Sequence, residues 1–219
     1  MTEDLKRRLS KLDSCAVSDA LDRVKIKGVV LGLAQLSTRK RIVGEAITVK
    51  LGPDDGREVE RHLCTAAVEA AGPGKVIVIA HSGRLDAAGW GGILSLAAIL
   101  RKVEGIVIDG ACRDLDESRE FGLPVYGRVA VPITARGRVI EREWNVPVDL
   151  SGVRVAPADL VIADASGVAI IPSGRAAEIV AIAESIAHKE RLMAADVRGG
   201  KPVSAVMGGN YETMLQEAP

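Results

Sequence analysis

The 219-residue chain has few aromatic residues and no excess of charge of either sign. Phe, Trp and Tyr together make up 2% of the sequence, and 29 basic residues balance 29 acidic residues. Because few aromatic rings are present to stack on bases, single-stranded nucleic acid is a poor candidate ligand. A chain without a net positive field is also not drawn to nucleic acid or to an anionic membrane. The composition favours small polar substrates that are bound by local charges.

Long hydrophobic runs are absent as well. The longest runs, such as "ILSLAAIL" and "VIVIA", are far shorter than the roughly 20 apolar residues that a membrane-spanning helix needs. The amino terminus, "MTEDLKRRLSKLD", lacks the pattern of a signal peptide. These features predict a cytoplasmic protein that does not associate with membranes.

Cysteine is scarce and scattered. Cys15, Cys64 and Cys112 form no CxxC pair, which argues against a disulfide framework and against a structural zinc site. We expect all three to be small buried hydrophobic residues.

The distribution of apolar residues predicts one α/β domain over residues 1–219, a length that can bury a substantial core. Leucines at helical spacing predict N-terminal helices within residues 2–24. Isoleucines among charged residues predict an amphipathic C-terminal helix over about 173–194, with Ser173 as its N-cap. No internal repeat or domain linker is present.

Between these helices the pattern changes repeatedly from strand to helix. Alternating β-branched residues predict a strand over 41–51 with a bulge at Gly44. A helix is predicted over 56–72, closed by Gly72. Near the end, two apolar runs around turn residues predict a hairpin over 159–171.

The most regular part is the centre of the chain. It reads as a buried strand over 75–80, a loop over 81–90, a helix over 91–103 and a second buried strand over 105–110. Continuous apolar strands around one helix are typical of a βαβ unit in a parallel sheet.

The βαβ unit predicts where residues that could bind a ligand or take part in catalysis meet. Ligands of parallel sheets bind beyond the carboxyl ends of the strands. The βαβ excursion returns Arg113 to the edge that it left at Gly91 and Gly92, with 20 residues between Gly92 and Arg113. Glycines at a helix N-terminus let backbone N–H groups approach an anion, and arginine offers a charged planar fork. Asp114 is a hard oxygen ligand for Mg²⁺ or Mn²⁺, and Glu117 lies one turn along the same helix face. Together they indicate a site for a 2-oxo acid.

Each of these fragments also has a structural interpretation. Asp114 and Glu117 resemble a capping box, and the two glycines could mark only a tight turn. Asp109 could orient Arg113 or simply end the strand.

Other chemistries have weaker support. The segment "GPGK" over 72–75 lacks the spacing of a phosphate-binding loop and is expected to be a turn. His81 follows a strand and could contact substrate or make a loop hydrogen bond. His62 and His188 are predicted on helices. Lys50 is the nearest candidate for a Schiff-base lysine, which would need a buried site, but it is expected on a solvated face.

With these residues identified, the sequence resembles the RraA-like family, which includes 4-hydroxy-4-methyl-2-oxoglutarate aldolases. The aldolases of that family carry Gly, twenty residues, Arg-Asp, two residues, then Glu or Asp, and Gly92, Arg113, Asp114 and Glu117 match without a gap. The segments "CAVSDALDRV", "RIVGEAITVKL", "GIVIDGACRD", "LPVYGR" and "DLVIADASGVAIIP" are similar to family segments in the same order.

The resemblance implies a layered, swivelling β/β/α fold that assembles into homotrimers or homohexamers. It also implies an aldolase that depends on Mg²⁺ or Mn²⁺, releases pyruvate from a 4-hydroxy-2-oxo acid and often decarboxylates oxaloacetate.

Carried over to this sequence, the family pattern assigns roles to individual residues. Arg113 would bind the carboxylate or oxo end of the substrate, and Asp114 would ligate the metal. Glu117 would lie just beyond the ligands of the metal and position a metal-bound water that transfers protons. A carboxylate from the C-terminal region of a neighbouring subunit would approach the metal, for which Glu190 is the nearest candidate in position. The backbone donors to substrate would be Gly91, Gly92, Ile93 and Leu94.

The sequence departs from the family pattern at the substrate turn. Many relatives carry Gly-Glu-Leu where this chain has Gly-Gly-Ile at 91–93. The preceding loop, 81–90, carries His81, Arg84 and Trp90, whose charge and bulk could select a different substrate. Two alternatives therefore stand beside the aldolase: a ribonuclease-binding regulator without catalysis, and a metal-dependent lyase or isomerase of a sugar acid.

Overall fold

A computed structural model describes residues 2–208 of the chain as a mixed α/β structure. Its helices are α1 (Glu3–Leu9), α2 (Ser14–Arg23), α3 (Thr65–Ala70), α4 (Gly92–Leu100), α5 (Leu115–Glu120), α6 (Ala176–Arg198) and α7 (Val203–Val206). Its strands are β1 (Val29–Val30), β2 (Ala34–Gln35), β3 (Ile42–Pro53), β4 (Lys75–Ala88), β5 (Gly105–Cys112), β6 (Val125–Gly127), β7 (Val129–Ala130), β8 (Val139–Trp144), β9 (Val148–Leu150), β10 (Val153–Val155), β11 (Leu160–Asp164) and β12 (Gly167–Ile171).

The main sheet has a parallel centre and antiparallel edges. Its order is β1–β12–β11–β3–β4–β5–β6–β2, with β7 beside β5 and β8 beside β3. Strands β3, β4, β5 and β6 are parallel neighbours, whereas β11 and β12 form the predicted antiparallel hairpin. The unit β4–α4–β5 confirms the predicted βαβ arrangement, in which all of β5 is buried.

The two faces of the main sheet are covered differently. On one face, Ile108 packs in a cluster with α3 and α4, and Ile162 packs in a second cluster with α1, α2 and α6. On the opposite face, Val78 packs in a cluster with Leu150 of the small β9–β10 sheet. The molecule is therefore built from a helical layer, the main sheet and a small sheet, which confirms the expected β/β/α layering.

The helix predicted over 56–72 is wrong except near its end, where α3 begins at Thr65. Cys64 has a left-handed φ of 65°, which a right-handed helix cannot contain. Its backbone N–H donates to the Glu141 carboxylate of β8 at 2.7 Å. This long-range contact overrides the helical pattern, and His62 lies in the irregular segment before α3.

The bulge predicted at Gly44 is also wrong. Gly44 pairs with Val161 in regular register, and the register shift of β3 lies between Lys50 and Leu51, opposite β8. A Cβ on Gly44 would lie 2.7 Å from the carbonyl oxygen of Gly74. The glycine is required because the predicted "GPGK" turn approaches the strand closely.

Two further boundaries differ from prediction. The predicted loop over 81–90 continues β4 as far as Ala88, with register shifts before and after Arg84. The C-terminal helix ends at Arg198 and begins at Ala176, after a 3₁₀ turn that contains Ser173, so Ser173 is not its N-cap. The N-terminal helices lie within 2–24 as predicted.

The cysteines behave as expected at two of three positions. Cys64 and Cys112 are buried, but Cys15 is exposed, so the prediction for Cys15 is wrong. Burial raises the pKa of the Cys64 thiol well above its usual range and that of Cys112 to about 12. Neither buried thiol therefore supplies a thiolate nucleophile at neutral pH.

No helix within residues 2–208 is both long enough and apolar enough to cross a membrane. The single domain over 1–219 stays a prediction, because residues 1 and 209–219 lie outside the described part of the chain.

Candidate active site

Two glycines lie at the N-terminus of α4, where backbone N–H groups are available as hydrogen-bond donors. Gly91 precedes the helix and Gly92 is its first residue. The N–H of Ser95 donates to the carbonyl of Gly91 at 3.0 Å, whereas those of Ile93 and Leu94 have no acceptor among the described residues. These two donors and the helix dipole favour an anion at this position.

Strand β5 delivers Arg113 and Asp114 to the same helix end. The N–H of Gly89 donates to the carbonyl of Ala111 at 2.9 Å, and the N–H of Arg113 donates to that of Trp90, also at 2.9 Å. These bonds hold the segment before α4 alongside the end of β5. The predicted convergence of the glycines with the Arg-Asp pair is confirmed.

The Asp114 carboxylate joins the two segments. Its Oδ2 accepts the N–H of Gly92 at 3.0 Å, and Nε of Arg113 lies 3.1 Å from each carboxylate oxygen. Asp114 directly precedes α5, but its φ is 55° and its side chain makes no capping bond to that helix. The capping-box interpretation is therefore wrong, because Asp114 caps α4 instead. In this arrangement the Gly92 N–H is already engaged, which leaves Ile93 and Leu94 as the donors.

The two glycines make room for carboxylates. A Cβ on Gly92 would lie 1.7 Å from Oε2 of Glu117, and a Cβ on Gly91 would lie 2.9 Å from Oδ2 of Asp114. The Glu117 carboxylate thus rests against Gly92, although Glu117 lies on the exposed side of α5. A side chain at either glycine would displace one of the two carboxylates.

Arg113 borders a pocket of about 760 Å³, within the size range of small-molecule sites. Its Nε is bound to Asp114, but its two Nη groups make no hydrogen bond within residues 2–208, and 37% of its side chain is exposed. Ile93 and Leu94 also line the pocket. Trp90 lines it with a buried indole whose Nε1 donates to Ser95 Oγ at 2.9 Å. Arg113 can therefore bind an anion in the pocket.

Asp114 and Glu117 are a donor pair that fits a hydrated divalent cation. Among the described residues, Oδ1 of Asp114 accepts a hydrogen bond only from Arg113, which leaves a lone pair for a cation. Magnesium commonly takes one or two carboxylates and keeps several waters. Within residues 2–208, no three His, Cys, Asp or Glu side chains form a metal-binding group. The remaining ligands would therefore be water, substrate or a group from another molecule.

Glu190 lies away from this pocket in the same chain. It belongs to α6, where it faces Asp19 and Asp13. Burial, followed by repulsion from these two carboxylates, raises its pKa above the usual range. Its role at the metal of a neighbouring subunit stays a prediction.

Four polar residues that line the pocket belong to no motif recognised in the sequence: His62, Thr65, Thr134 and Arg136. Thr134 and Arg136 follow β7, in a segment held by a 3.0 Å bond from the N–H of Ala88 to the carbonyl of Ile133. Because His62 was predicted to lie within a helix, nothing in the sequence indicated that it lines the pocket. Only the folded arrangement of β4 and β8 brings these residues to the pocket that Arg113 lines.

The three candidate residues of the segment 81–90, His81, Arg84 and Trp90, differ in whether they line the pocket. His81 is 3% exposed, and its Nε2 lies 2.8 Å from the carbonyl oxygen of Ala87. Burial lowers its pKa. Arg84 pairs with Asp86. Neither His81 nor Arg84 lines the pocket, so of the three candidates only Trp90 does.

Two other sequence candidates are structural. Asp109 is buried and accepts a hydrogen bond from Nε of Arg128 at 2.6 Å, so the suggestion that it orients Arg113 is wrong. Lys50 is exposed and pairs with Glu143 at 3.0 Å, which confirms its solvated position.

Comparison with known proteins shows which family the chain belongs to. Residues 14–170 match the RraA-like family, described as "Aldolase/RraA". The chain is 30% identical over 177 residues to Protein DlpA of Legionella pneumophila, an alignment that covers 81% of this chain and only 29% of DlpA. It is 31% identical to a protein of Halalkalibacterium halodurans named "Putative 4-hydroxy-4-methyl-2-oxoglutarate aldolase", over 78% of each chain.

Solved structures agree with the sequence matches. An uncharacterized protein from Pseudomonas syringae pv. tomato superposes with a TM-score of 0.86 at 29% identity, covering 95% of this chain and 98% of the other. Streptomyces coelicolor RraAS2, described as an unusual member of the RNase ES inhibitor RraA protein family, superposes with a TM-score of 0.78 at 26% identity, covering 90% and 97%. The chain belongs to the RraA-like family.

Proposed function

We propose that the protein is a lyase, a metal-dependent aldolase that cleaves a 4-hydroxy-2-oxo acid between C3 and C4 and releases pyruvate. The observation that carries the proposal is the arrangement at one end of the pocket, where the unengaged Nη groups of Arg113 lie beside the N-terminus of α4 and two carboxylates. The aldolase names of relatives at about 31% identity support the same reaction class.

Substrate binding follows from the donors in the pocket. The Nη groups of Arg113 match a carboxylate and the adjacent oxo oxygen, which lie in one plane in a 2-oxo acid. The backbone N–H groups of Ile93 and Leu94 add two fixed dipoles whose orientation costs nothing at the moment of reaction.

Asp114 would hold the divalent cation, Mg²⁺ or Mn²⁺, and Glu117 would bind one of the waters of its hydration shell. When bound, such a cation supplies Lewis-acid polarisation of the oxo group. Asp114 is suited to this position because Arg113 and the Gly92 N–H fix its carboxylate.

The residues of the chain then act on the bond that breaks. As C3 and C4 separate, their electron pair becomes the enolate of pyruvate, and Arg113 with the α4 N–H groups stabilises its oxygen. The proton of the 4-hydroxyl group leaves as C4 becomes a carbonyl, and C3 gains a proton. Glu117 is exposed and close to Asp114, so it can exchange these protons with solvent. Loss of CO₂ from oxaloacetate would give the same enolate.

Pyruvate release tests this function. Several 4-hydroxy-2-oxo acids and oxaloacetate are incubated with the protein in Mg²⁺ or in EDTA, and pyruvate is measured with lactate dehydrogenase. The proposal expects release that EDTA abolishes and that fresh Mg²⁺ restores. No release from any member of the panel would contradict it and would favour the sugar-acid alternative.

A second candidate is a ribonuclease-binding regulator, which the likeness to RraAS2 favours. It predicts binding to an RNase ES-type ribonuclease and inhibition of RNA cleavage, both independent of metal. If the protein inhibits the ribonuclease equally after Arg113→Lys, the regulatory surface lies outside the pocket.

Assembly and location are part of the proposal. The helix α4 exposes Ile93 (86% exposed), Leu96 (41%) and Leu100 (74%) along one side, which supports burial of this face in a homotrimer or homohexamer. Light scattering after size-exclusion chromatography measures the mass. The cytoplasmic location predicted from the sequence stays a prediction.

A further inference from the structure

Two buried serines connect the helices that border the site. Ser95 lies in the first turn of α4 and Ser118 in the first turn of α5, and both are 0% exposed. Their hydroxyl oxygens are 2.9 Å apart, across 23 positions of the sequence. Among the described residues, this is the only hydrogen bond that joins α4 to α5.

The two hydroxyl groups differ in their other partners. Ser95 Oγ also accepts from the indole Nε1 of Trp90 at 2.9 Å and lies 3.1 Å from the carbonyl oxygen of Gly91. Ser118 Oγ has one further neighbour, the carbonyl oxygen of Asp114 at 3.3 Å. Loss of the Ser95 hydroxyl would leave a buried indole without an acceptor. Loss of the Ser118 hydroxyl breaks the link between the helices and leaves Ser95 with both of its other partners.

The placement of α5 depends on this link. The helix has six residues, no side-chain hydrogen bond caps its start, and Ser118 is its only buried residue. So short a helix is not stable alone and takes its position from tertiary contacts. Its other attachments are the packing of Leu115 against the core and a 2.9 Å bond from Arg119 to the carbonyl of Leu36. Neither of them reaches α4 by a hydrogen bond.

Glu117 depends on the placement of α5 because its side chain has no partner of its own. It directly precedes Ser118, and its carboxylate makes no hydrogen bond or ion pair within residues 2–208. It rests against Gly92, where a Cβ would lie 1.7 Å from Oε2 of Glu117. A shift of α5 away from α4 would carry this carboxylate away from Gly92 and Asp114.

We propose that Ser118 is a positioning residue, which through Ser95 holds α5 against α4 so that the Glu117 carboxylate stays beside Asp114. The inference rests on the proposed function, in which Glu117 binds a water of the cation that Asp114 holds. Groups that orient the ligands of a metal contribute about 10- to 100-fold to its affinity or to the activity. Ser118 therefore acts on the cation through Glu117, without contact with the cation or the substrate.

Binding of Mn²⁺ tests the assignment without any reaction. The electron paramagnetic resonance signal of free Mn²⁺ gives the dissociation constant of the natural protein, Ser118→Ala, Glu117→Ala and the double variant. The matched control is Thr48→Val in β3. Thr48 is also 0% exposed, and its hydroxyl group donates to the carbonyl of Val146, so this variant loses one buried hydroxyl bond on the opposite face of the sheet.

We expect Glu117→Ala to weaken Mn²⁺ binding about 10-fold or more and Ser118→Ala about 3- to 10-fold. Because Ser118 acts through Glu117, the double variant should bind Mn²⁺ as Glu117→Ala does. Thr48→Val should bind it as the natural protein does. Unfolding temperatures establish that every variant is folded.

Amide hydrogen exchange follows the helix itself. The N–H of Phe121 donates to the carbonyl of Glu117 at 2.9 Å. In Ser118→Ala this amide should exchange faster than in the natural protein, because α5 has lost its buried attachment. In Thr48→Val its exchange rate should be unchanged.

Equal Mn²⁺ affinity in the natural protein and Ser118→Ala overturns the assignment, and so does the case in which neither binds Mn²⁺. Multiplicative losses in the double variant, or an equal loss in Thr48→Val, also overturn it, because they show a general loosening of the structure.

The result is separable from the aldolase proposal. If Mn²⁺ affinity depends on Ser118 through Glu117 but no substrate releases pyruvate, the positioning role stands and the proposed reaction fails. If pyruvate is released and Mn²⁺ affinity does not depend on Ser118, the reaction stands and this assignment fails.

Discussion

Asp114 accepts a hydrogen bond from the backbone N–H of Gly92 at 3.0 Å, across 22 positions of the sequence. The bond joins the residue that follows β5 to the first residue of α4. Because the same carboxylate also binds Nε of Arg113, it fixes the guanidinium at the helix N-terminus and leaves its Nη groups facing the pocket. The proposed chemistry depends on this connection.

Substitution of Arg113 by lysine keeps the charge but removes the planar fork. We expect kcat/KM for pyruvate release to fall by about 10- to 100-fold, because at least one charge-assisted hydrogen bond to the substrate is lost. Steady-state kinetics of Arg113→Lys and of the exposed control Arg101→Lys provide the measurement. Unchanged turnover in Arg113→Lys would show that the guanidinium group of Arg113 is not needed for the reaction.

Gly92→Ala tests the role of Glu117 without altering its chemistry. The new Cβ would lie 1.7 Å from Oε2 of Glu117, so the carboxylate must move. We expect kcat/KM to fall by about 100-fold, as for loss of a general acid or base. The stability should change little, because alanine is tolerated in a helix.

The matched controls are Glu117→Ala, the double variant and Gly174→Ala. Apart from its chain neighbours, no described residue has an atom within 4 Å of a Cβ at Gly174, so that variant should keep full activity. If the alanine acts only by displacing Glu117, the double variant should be no worse than Glu117→Ala. Multiplicative losses would show that Gly92 matters for another reason.

The part of the site that depends on one βαβ unit could be predicted from the sequence. The strand periods of β4 and β5 and the helix between them determine that Gly92 and Arg113 meet at one edge. The sequence pattern does not reveal that Asp114 caps α4 instead of α5, because this depends on its left-handed backbone.

The parts that sequence reasoning missed depend on contacts between distant strands. Residues before α3 have a helical pattern, but the bond from Cys64 to Glu141 of β8 prevents the helix from starting earlier. His62 and Arg136 enter the pocket through this arrangement and through the bond between Ala88 and Ile133. Local propensity is a weak guide at such positions because tertiary contacts override it.

Asp109→Asn distinguishes a structural from a catalytic aspartate. Asp109 accepts hydrogen bonds from Arg128 at 2.6 Å and from Ser151 at 3.1 Å, and it does not contact Arg113. Removing its charge should lower the free energy of unfolding by about 1–3 kcal/mol, because Arg128 loses a largely buried partner. Urea denaturation measures the loss. Turnover per folded molecule at 25 °C should be unchanged, and a fall in kcat without a loss of stability would contradict the structural assignment.

His81 should make stability depend on pH. Burial lowers its pKa from the ordinary 6.5, so the folded protein holds the imidazole neutral. As the pH falls below about 6.5, the unfolded chain gains a proton that the folded chain resists, and stability is lost. His81→Gln lacks this effect. The stability difference between the natural protein and the variant should therefore shift in favour of the variant from pH 8 to pH 5 in urea titrations, whereas a constant difference would exclude His81 as the cause.

The central claim is that the Arg113–Asp114 site stabilises the enolate of a 2-oxo acid, and exchange of the methyl protons of pyruvate with D₂O tests it most directly. Proton NMR follows the methyl signal with Mg²⁺ present, for the natural protein and for Asp114→Asn. We predict that the natural protein makes the signal disappear far faster than buffer with Mg²⁺ does, and that Asp114→Asn or EDTA abolishes the difference. Exchange no faster than in buffer, or equally fast in Asp114→Asn, would contradict the claim.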